Sequence, residues 1–142
     1  MNPAYLFPIL ASMTWGIVYT LDQKILKTTS PLLLLAIDAC ITFLIFIPVL
    51  ISQRGALKGV AMMDRRSIAL IIGVTLLTIL ADFLILFGVK HLDAPTASII
   101  EISYPFFVVL FSFFLFRTSL SIPFFIGAAC IFIGTVIIIK FT

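Results

Sequence analysis

Charge is what this sequence has least of. Only 11% of its 142 residues are Asp, Glu, Lys or Arg, against roughly 25% in an average soluble domain. So few charges cannot cover a water-soluble globule of this length, which excludes the ordinary cytosolic enzyme or binding module. Metal-ligand chemistry is just as thin. The single histidine, His91, stands beside a loop, and the two cysteines, Cys40 and Cys130, both fall inside apolar segments. A disulfide framework and a His/Cys metal cluster are thereby excluded, and no metal or cofactor is expected. The formal net charge of +3 comes from basic residues in loops and at helix ends. Topology and headgroup contact account for them there, so no nucleic-acid partner is expected. Large polar loops are missing too, and no nucleophile stands with a base, so the chain is not expected to be an enzyme.

What is there instead is hydrocarbon. Apolar residues make up 63% of the chain, and 15 residues are phenylalanine. The apolar runs predict helices at about 4–21, 31–51, 67–89, 94–116 and 122–139. Each is close to the ~20 residues that span a hydrocarbon core of ~30 Å at ~1.5 Å per residue. The expectation is an all-α integral membrane protein whose residues 1–142 form one transmembrane domain. Ser30-Pro31, Asp93 and Ser121 are suited to start helices. The first segment has no Lys or Arg ahead of it and no small-residue cleavage pattern after it, so it is expected to be retained.

Loop charges set the expected orientation. Arg54, Lys58, Arg65, Arg66 and Arg117 fall on the side of the N-terminus, and Lys24, Lys27, Lys90 and Lys140 on the other. This favours a multi-pass protein of the cell (inner) membrane with a cytoplasmic N-terminus, mainly through the basic connector at 52–66. So small a bias is compatible with insertion in both orientations.

The run 93–117 organises the rest. It is apolar enough to cross a bilayer yet carries Glu101 and Pro105 well inside it. A charge near the bilayer centre costs at least ~2.5 kcal/mol, and the proline deprives a carbonyl near residue 101 of its N–H partner. Both defects are tolerable where neighbouring helices or a wet cavity satisfy the freed groups. Asp38 and Asp82 also lie within apolar runs. All three acids fall seven residues from helix ends on one side, or about 10 Å deep. Trp15 and Tyr19 come out at or slightly above that depth. Asp38 could equally pair with Lys24 or Lys27, and Asp82 with Lys90, as structural ion pairs. Glu101 has no basic neighbour in its own helix and is the leading candidate for a proton or ligand. Tyr104, at the proline break, joins the expected lining. Gly127, Ala128 and Gly134 form a small-residue seam for helix packing or a dimer contact. The phenylalanines at 106–107 and 111–116 face lipid or line a hydrophobic gate.

Several of these features occur in a telling order. Trp15-Gly16 is followed by Lys24, the basic second connector, Tyr104-Pro105, L-F-R-T-S-L-S at 115–121 and G-A-A-C-I-F-I-G at 127–134. That order resembles one EamA-type repeat of the drug/metabolite transporter superfamily, over essentially the whole chain. The sequence departs from the family's Glu-Pro at Tyr104-Pro105 and from its Leu-Gly-Glu at Leu115-Phe116-Arg117. The resemblance implies a five-helix half-transporter and export of a metabolite or amino acid through a central cavity. Typical members carry two such repeats in inverted orientation, and only one is found here. A ten-helix unit would therefore arise by dimerisation, as a homodimer or as a heterodimer with a sister repeat, and the odd helix count allows an antiparallel partner.

The leading expectation is a secondary transporter working by alternating access around Trp15, Tyr19, Asp38, Asp82, Glu101 and Tyr104. Its partners would be the lipid bilayer and a small-molecule substrate. Two other classes stand beside it: a small-multidrug-resistance-like proton/lipophilic-cation antiporter, and a non-transporting accessory subunit. Loss of cation export in Glu101→Gln would mark the first. Unaided flux by the purified protein would eliminate the second.

Overall fold

Ser30 ends the first loop in extended backbone, and its hydroxyl oxygen accepts from the Leu33 N–H at 3.1 Å. Pro31 then occupies the first helical position, where no N–H is needed. Capping of this kind recurs along the chain. Asp64 starts a later helix by accepting from the Ser67 hydroxyl at 2.6 Å and the Arg66 N–H at 3.2 Å. The hydrogen bond from Ser67 is the main influence holding the Asp64 carboxyl below its usual range.

The computed structural model describes residues 4, 6–117 and 121–141. Among them are seven α-helices and no strand: α1 Leu6–Ile25, α2 Pro31–Ser52, α3 Arg54–Ala61, α4 Arg65–His91, α5 Ala94–Glu101, α6 Tyr104–Phe116 and α7 Ile122–Phe141. Residues 118–120 of the L-F-R-T-S-L-S segment lie outside the described residues.

Four stretches are long and apolar enough to cross a membrane: Pro31–Ser52, Arg65–His91, Ala94–Phe116 and Ile122–Phe141. At most 11% of an 18-residue apolar stretch in each span is buried inside the chain, as expected of helices solvated by lipid. Threonines within α1 and α4 return their hydroxyls to carbonyls one turn back, Thr14 to Leu10, Thr75 to Ile71 and Thr78 to Val74. In an apolar solvent that keeps the polar group satisfied. The helix α1 has the length, 20 residues, but Asp22, Gln23 and Lys24 dilute its last turns and it is not among the four.

One feature differs from the sequence expectation: the polar connector at 52–66 contains a helix of its own, α3, which follows α2 after Gln53. The helix break expected at Pro105 has its counterpart at Ile102 and Ser103, where the stretch 94–116 divides into α5 and α6. Pro105 explains the interruption, since it has no N–H to offer the Glu101 carbonyl. The chain tightens instead. The Ser103 N–H donates to Ile100 O at 3.2 Å, and the Phe106 N–H donates to Ser103 O at 3.0 Å, both three-residue turns. At its far end α6 stops on Arg117, which takes the left-handed conformation (φ 51°) and donates its N–H to Phe113 O.

The chain divides into two compact units. One joins Met1–Lys24 with Gly88–Thr142, and the other is Ile25–Phe87. In the first unit α7 packs against both α5 and α6. Val109 and Ala128 are buried there, and the rings of Phe106 and Phe132 stack at 4.7 Å. In the second unit, α3 follows α2 directly after Gln53.

Candidate functional site

The polar contacts of the first unit gather along α5, from its start at Ala94 to the break before α6. The start of α5 leaves N–H groups that the helix cannot satisfy. Asp93 takes one of them, accepting from the Thr96 N–H at 2.7 Å and also from the Thr96 hydroxyl at 3.1 Å. Pro95 has no N–H to satisfy. The remaining donor, Ala94 N–H, reaches across to Gln23 Oε1 of α1 at 3.2 Å. Every first-turn donor of α5 is thus accounted for, and one of them ties it to α1.

A second bond ties the same two helices two turns further along α5. The Tyr19 phenol donates to Glu101 Oε2 at 2.6 Å, at the short end of O–H···O distances. Tyr19 precedes Gln23 by one turn, whereas Glu101 follows Ala94 by two. The pairings therefore run in opposite order, and the end of α1 lies antiparallel to α5. Tyr19 and Glu101 are both half-buried. Trp15, one turn before Tyr19, places its ring 5.4 Å from the Tyr19 ring and remains exposed.

The other side of the break is held by α7. Because the Ser103 N–H goes to Ile100 O, the Ile99 carbonyl loses its ordinary helical donor. Thr135 supplies a replacement: its hydroxyl stands 3.2 Å from Ile99 O and 3.1 Å from Ile131 O of its own helix. Thr135 and Ser103 are the buried polar residues of the described chain, at 4% and 9% exposure. The carboxylate at the end of α5 thus sits on a backbone kink supported from α1 and α7 together.

Of the residues singled out from sequence, the structure brings together Trp15, Tyr19 and Glu101, with Pro105 just beyond the kink. Tyr104 stands on the first turn of α6 and is exposed. Asp38 and Asp82 belong to the second unit, Asp38 exposed on α2 and Asp82 half-buried on α4. Ala128 is buried, whereas a side chain added at Gly127 or Gly134 would meet nothing of this chain within 4 Å. Gln23 and Thr135 escaped the sequence reading. The available signals were weak: an amide one turn after Tyr19, and a lone hydroxyl deep in an otherwise apolar run. Between α6 and α7, Phe106, Val109, Leu110, Phe113, Phe125 and Ala128 line an apolar cavity of about 190 Å³. Phe113, Phe114 and Phe116 are more than half exposed, the condition of side chains that face lipid.

Among the described residues no group of His, Cys, Asp or Glu is placed to hold a metal ion. The arrangement offers one carboxylate at the C-terminal end of a half-helix, where the helix dipole is also negative. A carboxylate so placed can accept hydrogen bonds or pair with a cationic group. The profile of the EamA-like transporter family matches residues 2–140. No match was found among the curated proteins or the solved structures.

Proposed function

Because the chain belongs to the EamA-like transporter family, we propose that it is one half of a secondary transporter exporting a small metabolite, amino acid or amphipathic compound by alternating access. The family is one of membrane transporters of the drug/metabolite kind, and four spans of this chain are apolar enough for the bilayer. In the proposed plan α1 crosses as a fifth span, and a second copy or a sister repeat completes ten helices. The N-terminus lies on the cytoplasmic side of the inner membrane. Tyr104 joins Trp15 and Tyr19 in the lining around Glu101, and Asp38 and Asp82 are further candidate substrate- or proton-binding residues.

The observation that carries this reading is the 2.6 Å hydrogen bond from Tyr19 to Glu101 at the α5–α6 kink. Discontinuous helices at membrane depth are how many transporters build their central sites. A carboxylate there is expensive unless it serves a site. In the proposed cycle, Glu101 exchanges the Tyr19 phenol for a proton or a cationic group of the substrate. Releasing the phenol removes one tie between the end of α1 and α5 and leaves that of Gln23, which couples binding to a change in the packing of the first unit.

The test is flux into liposomes holding only the purified protein. Amino acids, nucleobases and quaternary cations are supplied under a proton gradient. Substrate-dependent flux is expected, and Glu101→Gln should lower it by at least about tenfold. Tyr19→Phe should retain flux at an altered rate, since the bond that ties α1 to the carboxylate is lost. Undiminished flux in Glu101→Gln would overturn the assigned role. Transport restricted to lipophilic cations would move the chain to the antiporter class, and no flux with any substrate would favour an accessory subunit.

A further inference from the structure

The proposed transport site makes no use of the connector at 52–66. We propose that α3 and the residues following it form a binding site for anionic phospholipid headgroups, with the helix lying in the plane of the membrane surface.

Placement is the first reason. The helix α3 begins two residues after α2 ends at Ser52 and closes four residues before α4 begins at Arg65. Both neighbours are long and apolar enough to cross the membrane, so α3 is tethered to the bilayer surface at both ends. Its pattern is the second. Arg54 and Lys58 are four residues apart and share one face, while Ala56, Leu57 and Val60 form an adjoining apolar stripe. Leu57, Val60, Met62 and Met63 are all exposed, Met62 to 86%. An exposed apolar stripe beside a basic one, at the level of the headgroups, is the pattern of a helix that lies in the interface.

Charge is the third reason. Arg54, Lys58, Arg65 and Arg66 fall within thirteen residues, and the sole carboxylate among them is Asp64. Both Asp64 oxygens already accept hydrogen bonds, from the Ser67 hydroxyl and the Arg66 N–H. The segment therefore presents a net excess of three positive charges at the membrane surface. Anionic headgroups are the complementary partner that a bilayer supplies there. Guanidinium groups suit a phosphate particularly well, through paired N–H donors. The apolar stripe makes the ligand a lipid and not a free anion, because it contacts the acyl boundary at the same time.

The proposal is tested by native mass spectrometry of the full-length protein in detergent, titrated with phosphatidylglycerol, phosphatidylcholine or inorganic phosphate. Phosphatidylglycerol should be retained on the order of tenfold more than phosphatidylcholine, and inorganic phosphate should not compete for it. The combined variant Arg54→Gln, Lys58→Gln, Arg65→Gln, Arg66→Gln should bring the two lipids to equal retention. Lys27→Gln with Lys140→Gln should leave the preference in place. Should the fourfold variant fail to fold, the native protein supplies the same test, because salt at about 0.5 M should erase a preference held by exposed charges. Equal retention of both lipids by the native protein would overturn the proposal. So would a preference unmoved by charge removal or salt, or displacement of the lipid by inorganic phosphate.

Discussion

The hydroxyl of Thr135 has one proton and two carbonyls within reach, Ile131 O in its own helix and Ile99 O in α5. Either neighbour alone would make the residue unremarked, since the threonines of α1 and α4 also bond back one turn. The bond to Ile99 is the one with consequences, because that carbonyl lost its helical donor at the kink and its replacement, Thr135, is buried. An unsatisfied buried acceptor is destabilising by about 1–3 kcal/mol. Thr135→Val keeps the shape and removes the donor, so it should lower stability in detergent by that amount. Thr135→Ser should restore most of the loss, while Thr75→Val, on an exposed position, should stay within about 0.5 kcal/mol of native. Thermal unfolding of the three variants measures the ranking, and a Thr135→Val as stable as Thr75→Val would show that Ile99 finds another donor. At this scale the sequence was informative about charge and silent about partners. Glu101 announces itself as a carboxylate in an apolar run. That Tyr19 would hold it depends on the approach of α1 to α5, which no local pattern encodes.

A proline inside an apolar run is legible, and so the interruption near Pro105 could be anticipated from the missing N–H alone. Its position, at Ile102 and Ser103, follows from which residues tighten into three-residue turns, a choice that depends on the packing of α7. The opposite case is α3. Eight residues with two glycines are too short and too poor in helix formers for periodicity to reveal them, and the helix starts from its junction with α2 at Gln53. The kink also makes a prediction about the element as a whole. Pro105→Ala returns an N–H that can donate to the Glu101 carbonyl, so α5 and α6 can merge. Relieving an interior proline is worth up to about 3 kcal/mol of helix stability. The variant should therefore unfold at higher temperature and exchange its amides at 102–106 more slowly, while transporting more slowly if the cycle bends the chain there. Unchanged exchange at 102–106 would mean that α7 packing, and not the proline, maintains the kink.

Composition alone places the whole molecule in the membrane, because a chain with 11% charged residues has no other solvent. What composition leaves open is how much of each helix faces lipid and how much faces another chain. Lipid suits the exposed Leu, Ile and Phe side chains of α2, α6 and α7. It does not suit Asp38, which is exposed on α2 seven residues past Pro31, about 10 Å from the helix end. A carboxylate left against hydrocarbon at that depth would cost about 2.5 kcal/mol or more, and a wetted face against a second half removes the cost. Gly127 and Gly134 point the same way, because a side chain built on either meets open space within this chain. If these glycines admit the backbone of a partner helix, Gly127→Leu with Gly134→Leu should abolish the dimer while leaving helix content and the Tyr19–Glu101 pairing intact. Native mass spectrometry in mild detergent should then show the native protein at twice the chain's mass and the variant at the mass of one chain, with circular dichroism unchanged. A native protein that is monomeric at every concentration would leave only a sister repeat as partner, and cross-linking in the membrane should then trap a second polypeptide. A variant dimerising as well as the native chain would remove these glycines from the contact. Labelling of single cysteines placed at each terminus would fix the arrangement: both termini reactive from both faces of the membrane requires antiparallel insertion, the only geometry in which two copies of the chain, with α1 crossing as proposed, reproduce an inverted repeat.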